Sequence, residues 1–406
     1  MVDKKFYYII FISIIFISFF YSYTLPSIIL NKFTYFGPIL GAFFSIFITV
    51  IFNLNLSFNR NTMLFFLISL FFGNIIISQA LIYMDTKLLI RGITHILLIS
   101  SALVLSKFFN LKTFEKAIFL VLVLFIIIGL IPLLEGDLKT ITLKTGEVLL
   151  IKESFIFTNR IEAGAWLPRL SFGTFHPNEI AFLFELWGLL YFFNRFFTKK
   201  KYSLVLFLII TIVGFLIWES RASFIFGVST LIFFFLKYKS KNIFRNIIII
   251  LIIVLSFLTM IVIYIKSNSI VETDFSSGRL SLWKAILEEF SHIEISKEFF
   301  GIGFSNSGKF LSSMGYMHNP HNSYIGIVVE MGFLGYTYIL FIMILILFLY
   351  FKSKGEKILI SSLILGLLLY NNFEFLLFQN TFHTFLLYFL LFSWFEIHKY
   401  PRIGKF

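Results

Sequence analysis

Long apolar runs, each closed by a cluster of charge, recur through the whole chain. Twelve of them approach or reach the roughly 20 residues that carry a helix across a bilayer's hydrocarbon core. They fall at about 6–23, 35–52, 63–82, 88–106, 117–134, 178–197, 203–218, 222–236, 246–265, 322–350, 358–373 and 378–396. The pattern predicts an all-α integral membrane protein of about 12 transmembrane helices, a single polytopic membrane domain over residues 1–406. Two hydrophilic breaks interrupt it, about 135–177 and 266–321, and these are expected to be long external loops, partly helical. The first run follows Asp3, Lys4 and Lys5 as a signal peptide's would, but it lacks a small-residue cleavage site and is kept as a helix.

Composition strengthens the membrane reading. The chain is 59% hydrophobic and only 14% charged, where soluble domains carry about 45–50% and about 25%. Cysteine is absent, which excludes disulfides, thiolate metal sites and cysteine nucleophiles. A net charge of +13 would suggest nucleic acid in a soluble protein. Here 20 of the 34 lysines and arginines crowd one alternate set of short connections, so the charge orients helices and no nucleic-acid partner is expected. The positive-inside rule then puts both termini in the cytoplasm and both long loops outside, as an even number of spans also requires.

Within the second loop, Gly278–Phe290 reads as a helix capped by Ser276 or Ser277, with Leu280, Trp283, Leu287 and Phe290 on one face. Such a helix lies on the membrane surface or lids a cavity. Gly301-Ile302-Gly303 follows; without a preceding strand this is turn geometry, not a nucleotide loop.

Residues able to do chemistry gather on the external side. Arg221 lies in a very short turn, Trp218-Glu219-Ser220-Arg221-Ala222-Ser223, at membrane depth. There it either pairs with Glu219, snorkels to the interface, or grips a phosphate through two parallel hydrogen bonds. Arg279 opens the helix of the second loop, where a helix N-terminus also favours an anion. His318 and His321 flank Pro320 where the chain re-enters the membrane. HxxH around a proline is poor zinc geometry and no third ligand is apparent, so no metal is assigned. The imidazoles either bond backbone at the helix entrance or take a proton from a hydroxyl. Asn322, like Asn319, either caps the following helix or orients a sugar. Glu330 sits one to two turns deeper and must pair, bind or be protonated. Arg169, His176 and Asn178 precede or open the sixth span and either line the same cavity or anchor that helix. His95 and His383 lie within spans and are expected to satisfy interhelical hydrogen bonds.

Three stretches resemble, in order, the motifs of the O-antigen ligase and O-antigen polymerase superfamily. They are Ser220–Ser223 (SRAS), Gly278–Leu287 (GRLSLWKAIL) followed by Phe299–Phe304 (FFGIGF), and His321–Gly335 (HNSYIGIVVEMGFLG). Phe172–Leu183 (FGTFHPNEIAFL) is similar to a segment that many polymerases carry before the sixth span. His318 is a second histidine beside the third motif and leaves open which imidazole acts.

The resemblance implies a GT-C-like glycosyltransferase of the bacterial plasma membrane, needing no cofactor. Its donor would be an oligosaccharide on undecaprenyl diphosphate, held by Arg221 and Arg279, with His321 as base and inversion at the anomeric carbon. The Phe172–Leu183 segment and the phenylalanine richness favour a polymerase that lengthens O-antigen or capsular-type polysaccharide, with a chain-length regulator as partner. The alternatives are a ligase transferring the glycan to lipid A–core and, in another class, a flippase of lipid-linked sugars. The sequence shows neither the repeated halves nor the interrupted helices that such carriers use.

Overall fold

The computed structural model describes residues 39, 41–43, 57–107, 109–142, 148–154, 157–162, 169–171, 177–197, 203–239, 279–290, 292, 295–315, 320–374, 377 and 379–397. The expected spans 6–23 and 246–265, and most of 35–52, lie outside these residues. The other nine apolar runs each coincide with a helix.

The first three helices, α1 (Arg60–Ile82), α2 (Thr86–Ser106) and α3 (Leu111–Glu135), form an up-down-up series. Each starts where a short polar side chain accepts from an otherwise orphaned backbone N–H: Asn59 from Asn61, Asp85 from Lys87, Asn110 from Lys112 and Thr113. Helices α4 (Pro177–Phe197), α5 (Ser203–Trp218) and α6 (Arg221–Lys239) follow a β-structured segment. Further on come α7 (Arg279–Phe290), α8 (Ile295–Phe300), α9 (Ser307–Ser313), α10 (Ser323–Lys352), α11 (Glu356–Tyr370) and α12 (Phe382–Glu396). Helices α1, α2, α3, α6 and α10 are long and apolar enough to cross a membrane, and α5 and α12 are shorter apolar helices. The protein is a multi-pass membrane protein with a mostly helical fold.

Helix α12 is the hub. Every residue from Phe382 to Trp394 is buried, and at about 1.5 Å per residue its 15 residues span less than a bilayer core. Protein, not lipid, therefore surrounds it. Phenylalanines fill the space: Phe392 meets Phe65 of α1 at 5.3 Å, and Phe389 meets Phe114 of α3 at 5.3 Å.

The segment after α3 departs from the all-α expectation. Strands β1 (Asp137–Thr142), β2 (Val148–Ser154), β3 (Phe157–Glu162) and β4 (Arg169–Leu170) form an antiparallel meander in sequence order. Among the described residues the first long loop is thus a four-stranded sheet where a partly helical loop was expected. The physical reason lies in its side chains: Leu138, Thr140, Ile141 and Thr142 in β1, Val148 to Ile151 in β2, and Phe157, Thr158 and Ile161 in β3 are the apolar, aromatic and β-branched types that favour strands. Lys152 anchors the sheet to α3 by donating to Leu133 O at 2.9 Å.

The described residues of the second loop are partly helical, as expected, but with a rotated inner face on α7. On α7, Leu282, Trp283 and Ile286 are buried against Leu311 of α9 and Val329 of α10, while Phe290 is only partly covered. The expected cap, Ser276 or Ser277, lies outside the described residues.

Two unlike ends result. At one, Glu396 accepts from Lys107 Nζ at 2.8 Å and Thr62 Oγ1 at 2.6 Å, Arg195 pairs with Glu115, and Lys237 donates to Phe351 O. The other end carries the sheet, α7–α9, the start of α10 and the α11–α12 connection. We call it the mouth.

Candidate active site

Helix α10 builds the mouth and, against the expectation that no helix is interrupted, is broken at Gly332. Its apolar run contains Glu330-Met331-Gly332, and Gly332 takes φ 60°, ψ −149°, a backbone state open essentially to glycine. The break frees carbonyls for partners outside the helix. Ile302 N donates to Val329 O at 3.0 Å and Gly303 N to Glu330 O at 3.1 Å. Gly301 and Gly303, with φ 76° and 99°, turn the chain sharply enough to bring those amides in. The turn assigned to Gly301-Ile302-Gly303 is therefore real, and its purpose is docking on α10.

Polar side chains lock the junction. Gln79 of α1 donates to Phe300 O and to Glu330 O, the latter at 2.7 Å, and accepts from Phe304 N at 3.1 Å. Tyr83 donates to Gly301 O, and Arg91 of α2 to Phe304 O at 2.6 Å. The Glu330 carboxylate is fully buried. It accepts from Ser307 Oγ at 2.6 Å, Ser307 N at 3.2 Å and Gln379 Nε2 at 2.7 Å. The two sequence stretches FFGIGF and EMGFLG are thus halves of one structural unit.

Above the break, Asn322 caps α10, its Oδ1 accepting from Tyr324 N at 2.9 Å and Ile325 N at 3.1 Å. The capping alternative for this asparagine is the one the geometry displays. His321 precedes it, half-buried, with φ 48°, a left-handed conformation that a non-glycine residue holds only when its surroundings enforce it. Trp283 of α7 supplies part of that enforcement by donating to Pro320 O at 2.6 Å.

A hydrogen-bonded chain runs from this junction to the start of α4. Ser323 N donates to Asn371 O, and Ser323 Oγ to Glu374 O at 2.9 Å, in the α11–α12 connection. Asn178 Nδ2 donates to Glu374 Oε1 at 2.6 Å, and Arg169 Nη2 to Asn178 Oδ1 at 2.6 Å. Arg169 Nε reaches Trp218 O at 2.6 Å. Ser223 of α6 donates to Asn178 O at 3.3 Å and bonds Ser220 at 2.8 Å. Arg221 stands between those two serines with an exposed side chain, in the first turn of α6.

The structure therefore gathers Arg169, Asn178, Arg221, His321 and Asn322 at the mouth, and holds Glu330 beneath it. Arg279 opens α7, but its side chain, like His176 and His318 entirely, lies outside the described residues. His95 meets Asn380 at 2.8 Å, close to the interhelical bond expected. His383 instead stacks on Tyr370 at 5.2 Å, and among the described residues its Nε2 finds no hydrogen-bond partner. Among the described residues no three His, Asp or Glu side chains converge as a metal site would require. Sequence reasoning missed Glu374, Gln79 and Gln379. For Glu374 and Gln379 a signal existed: Asn371–Asn380 interrupts two apolar runs with five polar residues.

Residues 205–340 of the 406 match the family model described as O-Antigen ligase. That stretch runs from α5 into α10 and contains Arg221, Arg279, His318, His321, Asn322 and Glu330. No curated protein and no solved structure matches the chain. Enzymes of the matched family transfer polyprenyl-diphosphate-linked glycans at the membrane. With all three motifs inside the match and their elements meeting at one mouth, residues 205–340 of this multi-pass membrane protein are an O-antigen ligase family domain.

Proposed function

We propose that the protein is the polymerase member of this type, joining undecaprenyl-diphosphate-linked oligosaccharide units into O-antigen or capsular-type polysaccharide. The observation that carries the reading is the hydrogen-bonded chain Arg169–Asn178–Glu374–Ser323. It fixes the Arg221 turn and the His321 entrance of α10 at one mouth. A cation for a diphosphate and a base for a hydroxyl are then available together. The full architecture on this reading is a GT-C-like bundle of about 12 spans. The Lys107, Arg195 and Lys237 end faces the cytoplasm with both termini, and the mouth faces outward, at the plasma membrane's outer leaflet.

In the reaction, His321 takes the proton from an acceptor sugar hydroxyl. The hydroxyl oxygen bonds to the donor's anomeric carbon as the bond from that carbon to the diphosphate oxygen breaks. Direct displacement inverts the anomeric centre, and undecaprenyl diphosphate leaves as the anion. Charge grows on the diphosphate along this path, so Arg221 and Arg279 stabilise the transition state more than the ground state. On this reading His318 is the neighbouring imidazole, and His176, Arg169 and Asn178 line the sugar path. Asn322 positions His321, and Glu330 positions the mouth by holding α9 and the α11–α12 connection to α10.

The test is reconstitution in liposomes with one lipid-linked oligosaccharide. A ladder of products rising by one unit establishes the polymerase. Absence of a ladder, with transfer restored by a lipid A–core acceptor, establishes the ligase instead. Absence of both, with movement of the lipid-linked sugar between leaflets, establishes the flippase.

A further inference from the structure

An open cavity of about 370 Å³ lies beside the break in α10, lined by Tyr83, Lys297, Ile302, Asn306, Lys309 and Phe310. Its size falls within the ~300–1,000 Å³ of small-molecule sites. Its depth in the membrane follows from α10 itself. Thirty residues make that helix about 45 Å long, against a hydrocarbon core of about 30 Å. None of residues 323–331 is exposed, whereas Phe333, Tyr336, Leu340, Phe341, Ile344 and Phe348 all are. Lipid-facing surface thus begins at Phe333, directly after Gly332, and the break marks the level where hydrocarbon gives way to headgroups. The cavity sits at that level, because Ile302 is bonded to Val329 O and Tyr83 ends α1. Its surroundings agree: Phe299 and Phe333 stack with centroids 6.1 Å apart and are exposed, as are Leu81, Ile82 and Met84. Apolar surface therefore borders a cavity that Lys297 and Lys309 help to line.

We infer that this cavity holds the diphosphate headgroup of a second polyprenyl-linked oligosaccharide, the acceptor, with Lys297 and Lys309 on its phosphates and its lipid chain over the Phe299–Phe333 surface. The inference rests on the polymerase reading, in which both reactants carry a lipid diphosphate and one cationic site is not enough. The Arg221 turn reaches the α10 entrance through α4 and the α11–α12 connection, whereas the lysine cavity reaches it through α8 and α9. The two sites thus approach His321 by different elements. From Val329 to the start of α10 is about 9 Å along the axis, a separation that an acceptor oligosaccharide bridges.

Native mass spectrometry of the full chain in nanodiscs, titrated with polyprenyl diphosphate carrying one oligosaccharide unit, reads the number of lipids bound. Phosphatidylglycerol is the competing probe. Wild type is expected to bind two polyprenyl diphosphates, Lys297→Gln/Lys309→Gln one, and Arg221→Ala one. Two bound lipids in the double lysine variant overturn the inference. So does one at saturation in wild type, or a lysine-dependent site filled by phosphatidylglycerol alone. If the double variant does not fold, the exposed Lys309→Glu substitution alone carries the same expectation. A wild type that binds two lipids yet makes no ladder refutes polymerisation and leaves the site standing. A ladder from a protein that binds one lipid refutes the site and leaves polymerisation standing.

Discussion

Replacing Gly332 with alanine places a methyl group where α8 meets α10. The added Cβ would lie 2.6 Å from Gly301 N and from Phe299 O, and against Glu298 O as well. All three are backbone atoms, so no side chain can swing aside. The φ of 60° with ψ of −149° adds a conformational cost of about 1–3 kcal/mol for any residue with a Cβ. Relief of the clash means moving α8 and its following turn off α10, which breaks Ile302 N to Val329 O and Gly303 N to Glu330 O. Each of those bonds contributes about 1 kcal/mol. The sum, about 3–5 kcal/mol, is large beside the 5–15 kcal/mol of ordinary folding stability. Gly308→Ala is the control: it lies in α9 with nothing within 4 Å of its added Cβ. Thermal unfolding in detergent, followed by transfer assays on the surviving protein, reads both effects. Gly332→Ala is expected to unfold at clearly lower temperature and to lose transfer, with Gly308→Ala unchanged. Equal stability and activity in the two variants would refute the docked break as the mouth's support.

Further outcomes follow from neighbouring contacts. Glu330→Ala strands the Ser307 N–H and the Gln379 amide in a buried site, at about 1–3 kcal/mol each, whereas Glu330→Gln keeps acceptor capacity and is expected to unfold closer to wild type. Urea or thermal melts of the pair check the order. Trp283→Phe keeps the packing of α7 but removes the bond to Pro320 O, so a fall in kcat with little change in melting temperature is expected. Arg221→Lys retains charge but not the planar fork, and donor affinity is expected to fall about tenfold or more by titration.

Hydropathy made the helices legible because in lipid a backbone must bond within its own segment, so long apolar runs have one outcome. The run expected at 322–350 is α10, Ser323–Lys352, and 63–82 is α1, Arg60–Ile82. The break at Gly332 did not show, since the run stays apolar through it and only Glu330-Met331-Gly332 hints at a freed carbonyl. The β meander was lost for a different reason. Its strand-favouring stretches are short and sit among charges, where a loop and a half-exposed sheet look alike. On α7 the expected face, Leu280–Trp283–Leu287–Phe290, and the observed one, Leu282–Trp283–Ile286, differ by a modest rotation. Period alone cannot fix that rotation without knowing that Val329 and Leu311 wait opposite. The residue types at the mouth were readable, but their hydrogen-bond wiring was not. Asn178 and Glu374 stand 196 positions apart, and only the folded bundle pairs them.

On the proposed reading His321, held at the entrance of α10, removes the proton from the acceptor hydroxyl. The most direct measurement compares His321→Ala with wild type in proteoliposomes, recording donor affinity and single-turnover transfer on the same preparation. A base contributes about 10²–10⁴-fold to rate, so transfer should fall by that factor with donor affinity unchanged. Transfer within a few fold of wild type would contradict the account, and so would a loss explained wholly by weaker donor binding.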